Sequence, residues 1–350
     1  MCSSDLWRGS RPPADDPEHK LHEMSPTFNS SNRGKRDLTL DLGTADGMRL
    51  ARQLFATADV VVENYTNGVM EKLGLDYASL AAENPGLILL RQPAFGATGP
   101  ESDYRVFGNT IEGMSGITAM IGYSDDTYPL QMSNAFGDPV SGLNGTLAVL
   151  AALRAREADG RGRCIEAAQL EGFLPLMGQH LVEYQRTGEQ RPRQANRRDG
   201  ALFSGAFRCA GEDSWLAVEV RTDAERAALE LATGVSLSGF ATWARTMNRD
   251  GAATLLSSAG VPAAPVNCEP DVLGNEPFAT AEFYVGYERP VTGFHLYPSL
   301  PVTLGGVRPA PATGAPTLGQ HNREILEALG LHPSSIAALE ARNVIGTVPV

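Results

Sequence analysis

Between residues 37 and 90 the chain alternates short apolar runs with helix-like periodicity, and this pattern restricts the fold more than any other feature of the sequence. Leu38-Thr39-Leu40-Asp41-Leu42 alternates as a strand does, Thr44 and Asp46 signal a helix start, and Met48, Leu50, Leu54 and Phe55 continue it at helical spacing. Val60-Val61-Val62 reads as a buried strand. Helical segments are predicted around Val69 to Leu73 and Tyr77 to Ala82, and Leu87 to Leu90 as another apolar strand. A β-α-β-α-β order of this kind favours a parallel sheet covered by helices, with ligands beyond the carboxyl ends of the strands. The loops after Val62 and Leu90 are therefore the places to look for function.

Farther along, Pro139 to Arg156 is predicted as a helix, Cys164 to Ala168 as a strand, and Leu170 to about Arg186 as another helix. The arginine-rich stretch Glu189 to Gly200 is a linker candidate. Ala206 to Cys209 and Trp215 to Val220 read as a hairpin that opens a second domain, followed by helices to about Ala259. Val261 to Val266 and the Pro/Gly-rich Pro298 to Pro316 read as connections, and Arg323 to Leu329 as a closing helix. Residues 1 to 34 show no periodicity and are expected to be irregular and to carry no core.

The net charge of -12 argues against nucleic acid or an anionic membrane as a partner, so any phosphate site must be local. No apolar run approaches the roughly 20 residues of a spanning helix, and the cysteines Cys2, Cys164, Cys209 and Cys268 form no C-x-x-C pair. A cytoplasmic protein without a metal cluster is the expectation. Cys164 is expected to be buried and inert, and His180 to be a satisfied core histidine. His19 and His22 are the only close histidine pair, and no further ligand completes a metal site.

Asn134 to Gly145 carries the most chemistry. Asp138 before Pro139 fits an N-cap carboxylate with proline at the first helical position. Backbone N–H groups and the helix dipole there favour the ionised form. A plain helix cap is the competing explanation. Gly142 and Gly145 each cost about 0.8–1 kcal/mol against alanine in a helix, which points to close approach of another group to this backbone or to helix packing.

A series of segments in order resembles the family III CoA-transferases, the CaiB/BaiF group. They are Asn32 to Arg36, Ala58 to Tyr65, Gly68 to Leu75, Asn84 to Ile88, Phe95 to Pro100, Gly137-Asp138, Thr146 to Arg154 and Asp159 to Gly162. Ala259 to Val266 and Ala315 to His321 complete the series. The resemblance implies an α/β fold with a Rossmann-like parallel sheet in a large domain at 1–200, and a smaller α+β domain at 201–308. It also implies a return segment at 309–350 and an intertwined homodimer, with the family's opening strand region missing.

By the same resemblance Asp138 is the nucleophile, taking coenzyme A from an acyl-CoA donor to a carboxylic acid through aspartyl anhydride and aspartyl-CoA intermediates. Coenzyme A is then substrate, and no tightly bound cofactor is expected. Asn64, Tyr65 and Lys72 match positions that contact its nucleotide part, with Lys35 and Arg36 a basic pair nearby. A solvated helix-face lysine explains Lys72 equally well, and a turn residue after a strand is the alternative for Asn64. His321 matches a motif that docks the C-terminus, and glycine-flanked N–H groups near Asp138 are candidate oxyanion donors. Met114, Met120, Tyr123, Tyr128 and Met132 fit either an acyl pocket or ordinary core.

Two rival functions follow. A racemase of the same family pairs the aspartate with a histidine where this chain reads Tyr104 to Asn109, and no histidine stands there. A non-catalytic homologue lacking a complete CoA pocket is the other.

Overall fold

The computed structural model describes residues 20–123, 128–132 and 135–349. The segment before Lys20, and with it Cys2 and His19, lies outside the described residues, as does Asn134. The chain forms two compact units, one from residues 1–90, 149–165 and 273–350 and the other from 91–148 and 166–272.

The first unit holds a three-stranded sheet in the order β1 (Val60–Glu63), β2 (Ile88–Arg91), β3 (Arg163–Glu166). Hydrogen bonds from Arg163 N to Leu87 O and from Ala167 N to Arg91 O advance in the same direction, so β2 and β3 run parallel. The predicted helices appear at Ala45–Ala56, Val69–Lys72 and Tyr77–Glu83, and Thr44 caps the first by accepting from Gly47 N. Leu75, Leu80, Leu87 and Leu89 form the core between them. Only β2 is apolar on both faces. Val62 of β1 is exposed, so β1 is a half-buried edge and not the buried strand expected.

Residues 37–42 form no strand. Their backbone groups are taken instead by the C-terminal segment: Thr39 N donates to Asn322 Oδ1 (2.9 Å), Asp41 N to Val344 O, and His321 N to Asp37 O. Asp37 N donates to Nδ1 of His321, which docks the tail as expected. Helices Asn322–Ala328 and Pro333–Ala341 close this region with Leu326, Ile336 and Leu339 against Leu50.

Residues 20 to 34 carry more structure than their composition suggests. A 3-10 turn at Leu21–Glu23 and a helix at Pro26–Ser31 bury Phe28 and Glu23. Glu23 pairs in the interior with Arg289, whose Nε also donates to Ala315 O. Tertiary partners more than 260 residues away compensate for the missing periodicity.

In the second unit β4 (Phe203–Arg208) and β5 (Trp215–Val220) form the predicted antiparallel hairpin. The stretch read as a connection supplies a third strand, β6 (Ala263–Pro265), paired with β5. Its prolines suit an edge position, where a missing N–H costs no ladder bond. Leu216, Val218, Leu229, Phe240 and Leu256 pack as the core. The first unit has a further hairpin that the sequence reading missed, β7 (Tyr284–Arg289) with β8 (Gly293–Pro298).

Cys164 is exposed on edge strand β3, correcting the expectation of a buried thiol. Among the described residues the buried cysteine is Cys209, whose thiol is pushed up by burial. His180 is half-buried, and its Nδ1 has no partner, so it is not a satisfied core histidine. No helix among the described residues is long and apolar enough to cross a membrane, and no group of three or more potential metal ligands occurs among them.

Candidate active site

Asp138 stands in the first turn of the helix Gly137–Asp159, in the second unit. The helix begins one residue before Asp138, so the aspartate is not the N-cap the Asp-Pro pair suggested. Its position has an electrostatic consequence. The described residues give its half-buried carboxylate no hydrogen-bond donor. Burial first, and then the charge of Glu112, raise its pKa above the ordinary aspartate value. Expected stabilisation of the ionised form by cap bonds is therefore replaced by the opposite sign.

Three close contacts fix the position. A β-carbon on Gly108 would fall 2.8 Å from Asp138 Oδ1 and 2.8 Å from the Ala135 β-carbon, so residue 108 must be glycine for the carboxylate to lie there. A β-carbon on Gly137 would meet the Phe173 ring at 3.1 Å. Phe173 is fully buried and makes an edge contact with Phe136. On the other side, Gln92 donates from Nε2 to Ser141 O (2.7 Å) and accepts at its backbone oxygen from Gln169 Nε2 (2.9 Å). Gln92 immediately follows β2, so one of the two loops picked out by strand order does anchor the helix that bears Asp138.

Glu112 was not anticipated from the sequence. It is completely buried on the helix Gly108–Ser115, its Oε1 accepts from Gly137 N (3.2 Å), and its Oε2 has no partner. A single charge on a helix of otherwise uncharged residues was the available signal. The same bond removes Gly137 N as an oxyanion donor, and Asp138 N is used by Ala135 O. Gly142 is exposed, with open space around its α-carbon, so close helix packing does not explain it. Met114, Tyr123 and Tyr128 are also exposed, which removes them from the core without enclosing them in a pocket.

The five residues matched to coenzyme A lie in the first unit. Asn64 is exposed and Tyr65 half-buried just beyond β1, where Tyr65 N donates to Glu63 Oε2 (2.8 Å). Lys72 is exposed at the end of its short helix, and Lys35 donates to Asn32 Oδ1 (3.0 Å). Arg36 pairs at the surface with Glu324 (3.3 Å). An open groove of about 300 Å³ beside β1 brings Tyr65 together with Glu63, Phe55, Val60 and Val62, and none of the three cations lines it.

The sequence profile of CoA-transferase family III matches residues 2–238 and 235–322. Succinyl-CoA--D-citramalate CoA-transferase of Chloroflexus aurantiacus is 32% identical over 339 residues, covering 89% of this chain and 83% of its own. Succinyl-CoA:mesaconate CoA-transferase of Haloarcula hispanica is 27% identical, covering 93% and 87%. Among solved structures, a CAIB/BAIF family protein from Brucella suis superposes with a TM-score of 0.80 at 26% identity, over 87% of this chain and 84% of that one. The chain is therefore an enzyme of CoA-transferase family III.

Proposed function

We propose that this enzyme transfers coenzyme A from succinyl-CoA to a small dicarboxylic acid, with Asp138 as covalent nucleophile. The observation that carries the reading is the setting of Asp138: a half-buried carboxylate in a first helical turn, without donors of its own and raised in basicity by its surroundings. Such a group is a better nucleophile than a solvated aspartate.

Asp138 attacks the thioester carbonyl, the C–S bond breaks, and CoA leaves as thiolate beside a mixed anhydride. The thiolate attacks the aspartyl carbonyl and expels the donor carboxylate, leaving aspartyl-CoA. The acceptor carboxylate then attacks this thioester, releasing the thiolate and forming a second anhydride. Attack of the thiolate on the acceptor acyl carbon yields the new acyl-CoA and restores Asp138. No proton is consumed.

The donor and the acceptor class follow the names of the relatives, which pair succinyl-CoA with citramalate, malate or mesaconate. Asn64, Tyr65, Lys72, Lys35 and Arg36 are assigned to the nucleotide part of coenzyme A by their match to the family. The domain division at 200 and 308, the cytoplasmic location and the homodimer belong to the same reading. Exposed Leu143 and Leu147, one turn apart on the Asp138 helix, support a second copy covering this face.

The test is incubation with succinyl-CoA and a panel of dicarboxylic acids, with new thioesters followed by chromatography and the covalent adduct trapped with hydroxylamine. Peptide mass analysis should place the adduct on Asp138. A label on Cys164 instead would assign the chemistry to a thiol.

A further inference from the structure

We propose that Glu112 is a positioning residue for acyl transfer, holding the first turn of the nucleophile helix through Gly137 and maintaining the field in which Asp138 reacts. This rests on the assignment of Asp138 as nucleophile.

The argument begins with what the fold alone needs. Gly137 N requires one acceptor, which the side-chain oxygen of a glutamine would supply without burying a charge. The chain instead places a carboxylate in full burial and leaves Oε2 without a hydrogen bond, an arrangement that opposes folding. Groups that oppose folding and persist beside a reactive residue are characteristic of catalytic sites.

The elements around Asp138 narrow the source of its field. Its own helix carries no other ionisable side chain before Arg154, and the turn Glu171–Met177 approaches through Phe173, with Glu171 exposed. Arg91 lies before the Gln92 anchor, at the end of β2. Of Arg91, Glu171 and Glu112, only Glu112 acts appreciably on Asp138. A change of charge at Glu112 is consequently read out at Asp138.

The experiment follows the pH dependence of first-turnover CoA release from succinyl-CoA in the wild type, Glu112→Gln, Glu112→Asp, Glu112→Ala and Asp138→Asn. Glu112→Gln keeps an acceptor for Gly137 and removes the charge, so its acid limb should move to lower pH. Glu112→Asp keeps the charge and should hold the limb near the wild-type position. Glu112→Ala also loses the anchor, and its rate should fall on the order of 10²-fold, the cost of a misplaced reacting group. Carbon-13 NMR titration of the Asp138 carboxyl in folded protein gives the same comparison without substrate. An unmoved limb in folded Glu112→Gln, or identical profiles for the Gln and Asp variants, overturns the role of Glu112 alone. First-turnover release that survives in Asp138→Asn overturns the nucleophile assignment itself, and this inference with it.

Discussion

The Asp138 carboxylate rests against the backbone of Gly108, with no room between them for a methyl group. Gly108→Ala must therefore push the Asp138 carboxylate aside or shift the start of its helix. Displacement of a reacting group by about 1 Å costs on the order of 10²-fold in rate. We expect a loss of that size in turnover, measured by steady-state kinetics, with the far-ultraviolet circular dichroism unchanged.

Asp138→Asn separates activity from stability. Turnover should fall by about 10³-fold or more, as the proposed role of Asp138 as covalent nucleophile requires. The folded-state pKa of Asp138 is raised by burial and by Glu112, so its stabilising contribution is present below the unfolded pKa and lost as pH rises through the folded one. At neutral pH the wild type bears that loss and the asparagine variant does not. Thermal denaturation at pH 7 should show a higher midpoint for Asp138→Asn, with the advantage fading in acid.

Lys72→Ala should weaken acyl-CoA binding with little change in the chemical step. The contact proposed for Lys72, to a phosphate far from the thioester, would act nearly equally on ground and transition states. Its expected signature is a Michaelis constant for succinyl-CoA raised about 3- to 10-fold at nearly constant turnover. A large fall in turnover at constant Michaelis constant would remove Lys72 from the binding site.

Removing Arg289 tests the interior ion pair. Arg289→Ala takes the guanidinium from Glu23 in an enclosed setting where both side chains are 3% exposed. Loss of one partner of such a pair typically costs about 3–5 kcal/mol, which urea denaturation of the variant should register.

The sequence was most informative where local rules act alone. Thr44 capped its helix as its residue type predicts, and the hairpin around Gly211 followed from alternating side chains. It was least informative where distant segments intervene. Leu38 to Leu42 has the alternation of a strand, yet Asn322 and Val344 occupy its hydrogen-bonding groups from the far end of the chain. In the candidate site Asp138 stood out through its neighbours Gly137 and Pro139. Glu112 lies 26 positions earlier, and nothing in local sequence indicates that its carboxylate meets Gly137 N. Proximity set by tertiary folding also reversed the expected shift of Asp138, because a first-turn residue without cap bonds feels burial and like charge unopposed.

The docking of residues 37–41 onto the C-terminal segment sets an order of events during synthesis. Thr39 Oγ1 donates to Gly346 O across 307 positions, and Gly319 N donates to the Asp37 carboxylate across 282. A ribosome extending the chain at roughly 5–20 residues per second needs many seconds to deliver those partners. Until then Leu50 lacks the cover that Leu326 and Ile336 provide, and the donors at Thr39 and Asp41 remain open. The first unit is consequently completed only after residues 319 to 346 have been made, and until then the apolar side chains around Leu50 stay open to solvent.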